Sequence, residues 1–188
     1  MPRGVAVPEP RQHLFAALER VIAAEGPLTS RAVTHEAGVA TGLLFTHFRN
    51  FDNFLAGYGV DRSFQIADAL SGLPGRFGRG TVAGNLAEAV LGLPSPAVRT
   101  LVRLTAFHPS LIAEIEGVLG AGSAGVRAVE RVTADYLAAE QQLGRVPAGA
   151  DTAALALAVA AVVAFTDEPG LIGRAVAALI PVVAVRSG

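Results

Sequence analysis

The sequence predicts an all-α protein, and two observations carry that expectation. Apolar residues recur at helical spacing in segment after segment, and no segment alternates convincingly with period two. A third observation, the punctuation by Gly and Pro, divides the chain into a short N-terminal group of three helices and a larger C-terminal helical group, expected as residues 1–50 and 51–188. With 52% apolar residues in 188, the chain can fill substantial cores.

The first helix is read from Leu14, Phe15, Leu18, Val21 and Ile22, which make one apolar face and stop at Gly26-Pro27. Thr29 then stands where an N-cap belongs, with Ala32, Val33 and Ala37 on the inward face of a second helix and Gly38 as its left-handed C-terminal residue. A third short helix, 41–48, turns Leu44 and Phe48 inward at i, i+4 spacing, with Val39 plugging the turn before it. After Asn50, a plausible cap, residues 51–70 form a longer helix that ends in the Gly/Pro-rich stretch SGLPGRFGRG. Further helices are expected near 81–91, 96–107, 109–143, 151–166 and 170–185. Gly117, Gly120, Gly122 and Gly125 interrupt the longest of these, which is therefore bent beside a cavity or broken by a surface turn.

Composition excludes several classes of function. The chain has no cysteine, so neither disulfides nor thiolate chemistry is available. Its net charge is −1, and in the first seventy residues the arginines at 3, 11, 20, 31, 49 and 62 are outnumbered by Glu9, Glu19, Glu25, Glu36, Asp52, Asp61 and Asp68. Any nucleic-acid binding must therefore rest on a local patch, not on a global field. The opening MPRGVAVPEPRQ lacks the apolar core of a signal peptide, and the longest uncharged run, 152–166, falls short of the ~20 residues of a membrane span. A cytoplasmic protein without membrane contact is expected. The histidines at 13, 35, 47 and 108 have no metal-ligand spacing and no nucleophile partner, and no glycine-rich phosphate loop follows a strand. Neither a metal, nor a cofactor, nor an enzyme activity is expected.

Residues 29–48, TSRAVTHEAGVATGLLFTHF, resemble the helix-turn-helix of the TetR family of bacterial transcriptional regulators. The likeness lies in Thr29 opening the first motif helix, Val33 in its core position, the Ala37-Gly38-Val39 turn, and Gly42, Leu44, Phe45, His47 and Phe48 in the recognition helix. It extends upstream over the helix from Leu14 and downstream to Leu55, about the first third of the chain. The resemblance implies an N-terminal helix-turn-helix DNA-binding domain and a C-terminal helical domain for effector binding and dimerisation. A recognition helix of this kind reads base edges from the major groove. Thr41, Gly42, Leu43 and Thr46 are the expected groove-facing residues, and Thr29, Arg31, His47 and Arg49 the expected phosphate-side ones. Three positions depart from the family pattern: Ala40 replaces the usual capping serine, Phe45 the commoner tyrosine and Phe51 a lysine.

For the rest of the chain the resemblance implies a homodimer, paired through the last two helices, acting on a double-stranded DNA operator. In this family such a regulator is most often a repressor, released by a small molecule. The middle helices would enclose a pocket for an unknown hydrophobic or amphipathic effector, with Thr105, Thr133 and Tyr136 as candidate polar contacts. Ala153–Phe165 is apolar all round, as a helix packed against both its own domain and a partner should be. The alternative reading is a helical small-molecule sensor or interaction protein whose DNA-binding head has degenerated at the three departing positions.

Overall fold

A computed structural model describes residues 9–180, and ten α-helices account for most of them. Contacts divide the chain into two units, one ending at Tyr58 and the other beginning at Gly59. The division falls inside a helix.

The first unit holds α1 (Pro10–Ala23), α2 (Ser30–Glu36), α3 (Thr41–His47) and the start of α4 (Phe51–Leu70). Proline opens α1, where its missing N–H costs nothing, and Leu14, Leu18, Val21 and Ile22 turn its apolar face inward. The helix ends at Ala23, short of the Gly26-Pro27 stop that the sequence implies. Glu25, not Gly26, takes the left-handed conformation (φ 55°), while Gly26 donates to the Val21 carbonyl over 2.9 Å. Gly26 is needed instead for space, since a Cβ there would lie 3.2 Å from that same carbonyl oxygen.

Thr29 caps α2 as expected, its hydroxyl accepting from the Ala32 N–H over 3.2 Å. Gly38 (φ 66°) ends the helix, and the Val39 N–H then reaches back to the Thr34 carbonyl over 3.0 Å. Asn50 caps α4 by accepting from Asn53 over 2.8 Å. The core of this unit is aromatic. Phe15 lies 5.9 Å from Phe48, 5.6 Å from Phe54 and 5.5 Å from Tyr58 between ring centres, so α1, the end of α3 and α4 meet at one cluster. The Arg11 guanidinium covers the Phe48 ring at 4.9 Å, and the Tyr58 hydroxyl donates to Glu19 over 3.0 Å.

In the second unit, a 3-10 turn at Pro74–Arg76 precedes α5 (Val82–Leu91), α6 (Ser95–Phe107), α7 (Ser110–Leu119), α8 (Val126–Gln142), α9 (Thr152–Phe165) and α10 (Pro169–Leu179). The single helix expected over 109–143 is two helices. Gly120 (φ 98°), Gly122 (φ 69°) and Gly125 (φ 50°) adopt conformations that other residues rarely take, and a helix cannot run through them. The α8–α9 pair forms the centre of this unit, with α6 and α10 packed on α9 and α5 on α8 and α10. The expected extension of α10 to 185 reaches residues outside those described.

Only one face of α9 is buried in its own unit, through Ala156, Val159, Ala160 and Val163. Leu157, Ala161 and Phe165 lie on the other face, and Phe165 is 91% exposed. At the far end of α8, the fully buried Glu140 is neutralised by Arg145, whose Nη1 lies 3.1 Å from one carboxylate oxygen at ion-pair distance without hydrogen-bond direction. Its other oxygen accepts from the Gly78 N–H over 3.3 Å, and Arg145 also donates to the carbonyls of Arg79 and Gly80. This polar cluster ties the Gly/Pro-rich stretch to α8.

Because Phe15 touches three other rings, Phe15→Ala should cost about 3–5 kcal/mol of stability, the range for emptying a large core site. Urea unfolding followed by circular dichroism would measure the loss.

Candidate nucleic-acid interface and effector cavity

Seven residues make α3, and Leu44, fully buried, is its inward anchor, with Phe48 just beyond its end as the second. These two fix which side faces out. Thr41, Gly42, Phe45, Thr46 and His47 are exposed and Leu43 is half-buried, so the expected groove-facing residues share the outward side of one short helix. Arg31 on α2 and Arg49 after α3 are exposed as well.

Hydrogen bonding within the unit commits part of this surface. The Thr46 hydroxyl donates to the Gly42 carbonyl over 3.0 Å, which leaves its methyl group and its lone pairs for an outside partner. The Thr41 and Thr34 hydroxyls lie 3.1 Å apart, and Thr34 donates to the Ser30 carbonyl over 2.9 Å. With its own proton on Ser30, the Thr34 hydroxyl accepts from that of Thr41, and no side-chain hydrogen bond caps α3. Ala40, the N-cap residue of α3, offers no side-chain acceptor, so the helix begins uncapped.

Gly42 is the informative residue. A Cβ built on it would meet nothing within 4 Å, and its backbone is helical, not left-handed. Among the described residues neither space nor conformation requires a glycine there. Its presence costs helix propensity of up to ~1 kcal/mol relative to alanine, with no return inside the fold.

A surface groove of about 420 Å³ runs beside α2, lined by Thr29, Arg31 and His35 together with Val21, Ala24 and Pro27. His35 was passed over by sequence reasoning. Its signal was available, since it lies one turn after Arg31 on an exposed helix face. Arg20, by contrast, is held by Glu36 over 2.7 Å.

The second unit holds a cavity of about 330 Å³ lined by α6, the α7–α8 turn and the ends of α7 and α9. Of the three candidate polar contacts, Thr105 lines it, but its hydroxyl donates to the Leu101 carbonyl over 2.8 Å. Thr133 and Tyr136 are not among its lining residues. Thr133 is fully buried, its hydroxyl oxygen without a hydrogen-bond partner among the described residues. Tyr136 belongs to the polar cluster instead: its hydroxyl accepts from Asn85 over 2.8 Å and its ring stacks on Phe77 at 5.6 Å. Burial pushes the Tyr136 phenol up to about 12, opposed by the Asn85 hydrogen bond and assisted by the Glu140 carboxylate. Among the described residues no group of three or more His, Asp or Glu side chains is placed to hold a metal ion. No described helix is long and apolar enough to cross a membrane.

No family model matches the sequence, and neither does any curated protein. Solved structures do match. NemR of E. coli, in its reduced form, is 15% identical with a TM-score of 0.64, over 94% of this chain and all of that one. A TetR-like transcriptional regulator from Rhodococcus sp. RHA1 is 16% identical with a TM-score of 0.62, over 95% of each chain. The transcriptional regulator FadR of Bacillus subtilis, solved in complex with stearoyl-CoA, is 17% identical with a TM-score of 0.61, over 90% of this chain and 97% of that one. The chain has the fold of TetR-like transcriptional regulators, along nearly its whole length.

Two substitutions test the local account of α3. Gly42→Ala should raise stability by up to ~1 kcal/mol, because the added methyl group meets open space. Ala40→Ser should add ~1 kcal/mol by supplying the missing cap. Denaturant midpoints of the two variants against the parent chain check both.

Proposed function

We propose that the protein is a DNA-binding transcriptional regulator, acting as a homodimer on a palindromic operator and answering to a hydrophobic or amphipathic small molecule. In this reading α3 enters the major groove. Thr41, Gly42, Leu43 and Thr46 approach base edges, while Thr29, Arg31, His47 and Arg49 hold the phosphates. The observation that carries the reading is Gly42, a helical glycine that nothing among the described residues of its own chain requires, on an exposed face beside Thr41, Phe45 and Thr46. A missing side chain has a purpose where another molecule's surface must come close to the backbone. The shared fold with transcriptional regulators supports the same conclusion independently.

Dimerisation follows in this reading from the outward face of α9. Leu157, Ala161 and Phe165 recur every four residues, with no charged residue between Asp151 and Asp167. A stripe of this kind is self-complementary to a second copy, and isologous pairing is the commonest way a chain covers one. Val159 and Val163 of the same helix lie in the chain's own core. Substituting them would test folding, not assembly.

The cavity of the second unit is the natural place for the effector, with FadR and its stearoyl-CoA as a precedent within the fold. An effector changes DNA affinity only if it prefers one of two conformations of the dimer. Repression is the simplest outcome, since a bound dimer would occlude its operator.

Mobility shift with genomic fragments tests the central claim. The parent chain should shift a subset of fragments with moderate salt dependence, few basic residues being available to displace counterions. Gly42→Glu should abolish the shift while leaving the protein at least as stable, because glutamate is a better helix former and favourable in a first turn. Retained binding by that variant would overturn the groove assignment. Leu157→Arg combined with Phe165→Arg should give a folded monomer by sedimentation that no longer shifts DNA, whereas an unchanged dimer would exclude α9 from the interface.

A further inference from the structure

We infer that the cavity of the second unit takes an aliphatic carboxylate, its tail among the apolar walls and its head on Arg127. The inference deepens the effector reading above and rests on it. Leu101, Val102, Ala106, Ile112, Ala124 and Ala164 supply the walls, and among the described lining residues Arg127 alone is charged. Thr105 adds no free proton, since its hydroxyl already donates within α6. A neutral polar head would gain less from the guanidinium than an anion, and a cation would be repelled by it. An anion at the end of an apolar chain satisfies both parts of the site.

Arg127 is placed to accept such an exchange. Its Nη1 lies 3.3 Å from a Glu116 oxygen, and the Arg127 side chain is half exposed, so this ion pair is weakly held. The same Glu116 oxygen accepts from the Gly122 N–H over 3.0 Å and keeps that partner when the guanidinium turns away. A carboxylate entering the cavity can thus take the planar fork of Arg127 without leaving Glu116 bare. The first turn of α8 also lines the cavity. It carries no acidic residue and no side-chain cap, so the helix dipole adds to the attraction for an anion. At about 330 Å³ the cavity lies near the lower end of small-molecule sites, ~300–1,000 Å³, and fits one short tail.

Calorimetric titration of the full chain with octanoate, 1-octanol and octylammonium, which share a tail and differ in head charge, tests the assignment. Octanoate should bind at least about tenfold more tightly than 1-octanol, as expected for charge-assisted hydrogen bonds, and octylammonium most weakly. Arg127→Gln should bring octanoate down to the 1-octanol level while leaving 1-octanol unchanged, and Arg127→Lys should keep a partial preference. Ala106→Trp, which fills the cavity from an exposed position on α6, should remove binding of all three. Equal affinity for octanoate and 1-octanol in the parent chain would overturn the inference, as would an octanoate preference that survives Arg127→Gln. Mobility shift on the same samples reads the regulatory role separately: octanoate bound with the expected selectivity, but with no effect on DNA, would uphold the cavity assignment and remove only the switch.

Discussion

A helix of seven residues cannot hold its own shape in water, because nucleation costs more than so few internal hydrogen bonds return. Every feature of the outward face of α3 therefore depends on what grips its inward one. Leu44 and Phe48 supply the grip, and Phe48 in turn sits in a ring cluster with Phe15 and Phe54, at 5.9 and 5.2 Å. The aromatic cluster sets the rotation of α3 about its own axis, and with it which residues meet solvent. The hydroxyl contact between Thr34 and Thr41 fixes the same helix from its other end.

The second unit solves a different problem, that of holding a glycine-rich stretch against a helix with few apolar side chains, Leu73 and Phe77, to bury. Glu140 does this through the charge it carries inside the fold. A buried carboxylate is costly unless paired, and here Arg145 pairs it while reaching on to the carbonyls of Arg79 and Gly80. Removing Arg145 would leave an unpaired buried charge and take its donor from the Gly80 carbonyl, while that of Arg79 keeps Asn85. The cluster is thus worth more as a unit than any one of its contacts, and it specifies where the stretch lies more than how stable the unit is.

Much of this was legible in the sequence where the signal is local. The caps at Thr29 and Asn50, the left-handed Gly38, the inward pair Leu44 and Phe48 and the exposed row in α3 follow from spacing and residue chemistry over a few positions. What was not legible depends on distant partners. Gly78 and Glu140 stand 62 residues apart, and nothing near either announces the other. Thr105, Thr133 and Tyr136 looked alike as polar residues on helices, yet one lines a cavity, one is buried without a partner among the described residues and one closes a polar cluster. The glycines at 120, 122 and 125 announced an interruption, and only their positive φ values show it to be a complete break.

The distribution of local irregularities is itself an argument about function. In α2 each local preference is met: a threonine caps the start, a glycine closes the end, and Val33 is buried between them. Five residues later the preferences fail together. Ala40 leaves α3 uncapped, Gly42 weakens it without fitting anything, and Phe45 lies 47% exposed. A sequence under selection for folding alone would have little reason to keep three such departures in one short helix when single substitutions would remove them. Local rules tend to break where a surface serves something outside the chain. The inward residues Leu44 and Phe48 show no such departure, so the three positions lie on the side of α3 that the core does not use. That is the pattern expected of a helix whose interior face answers to the fold and whose exterior face answers to a partner.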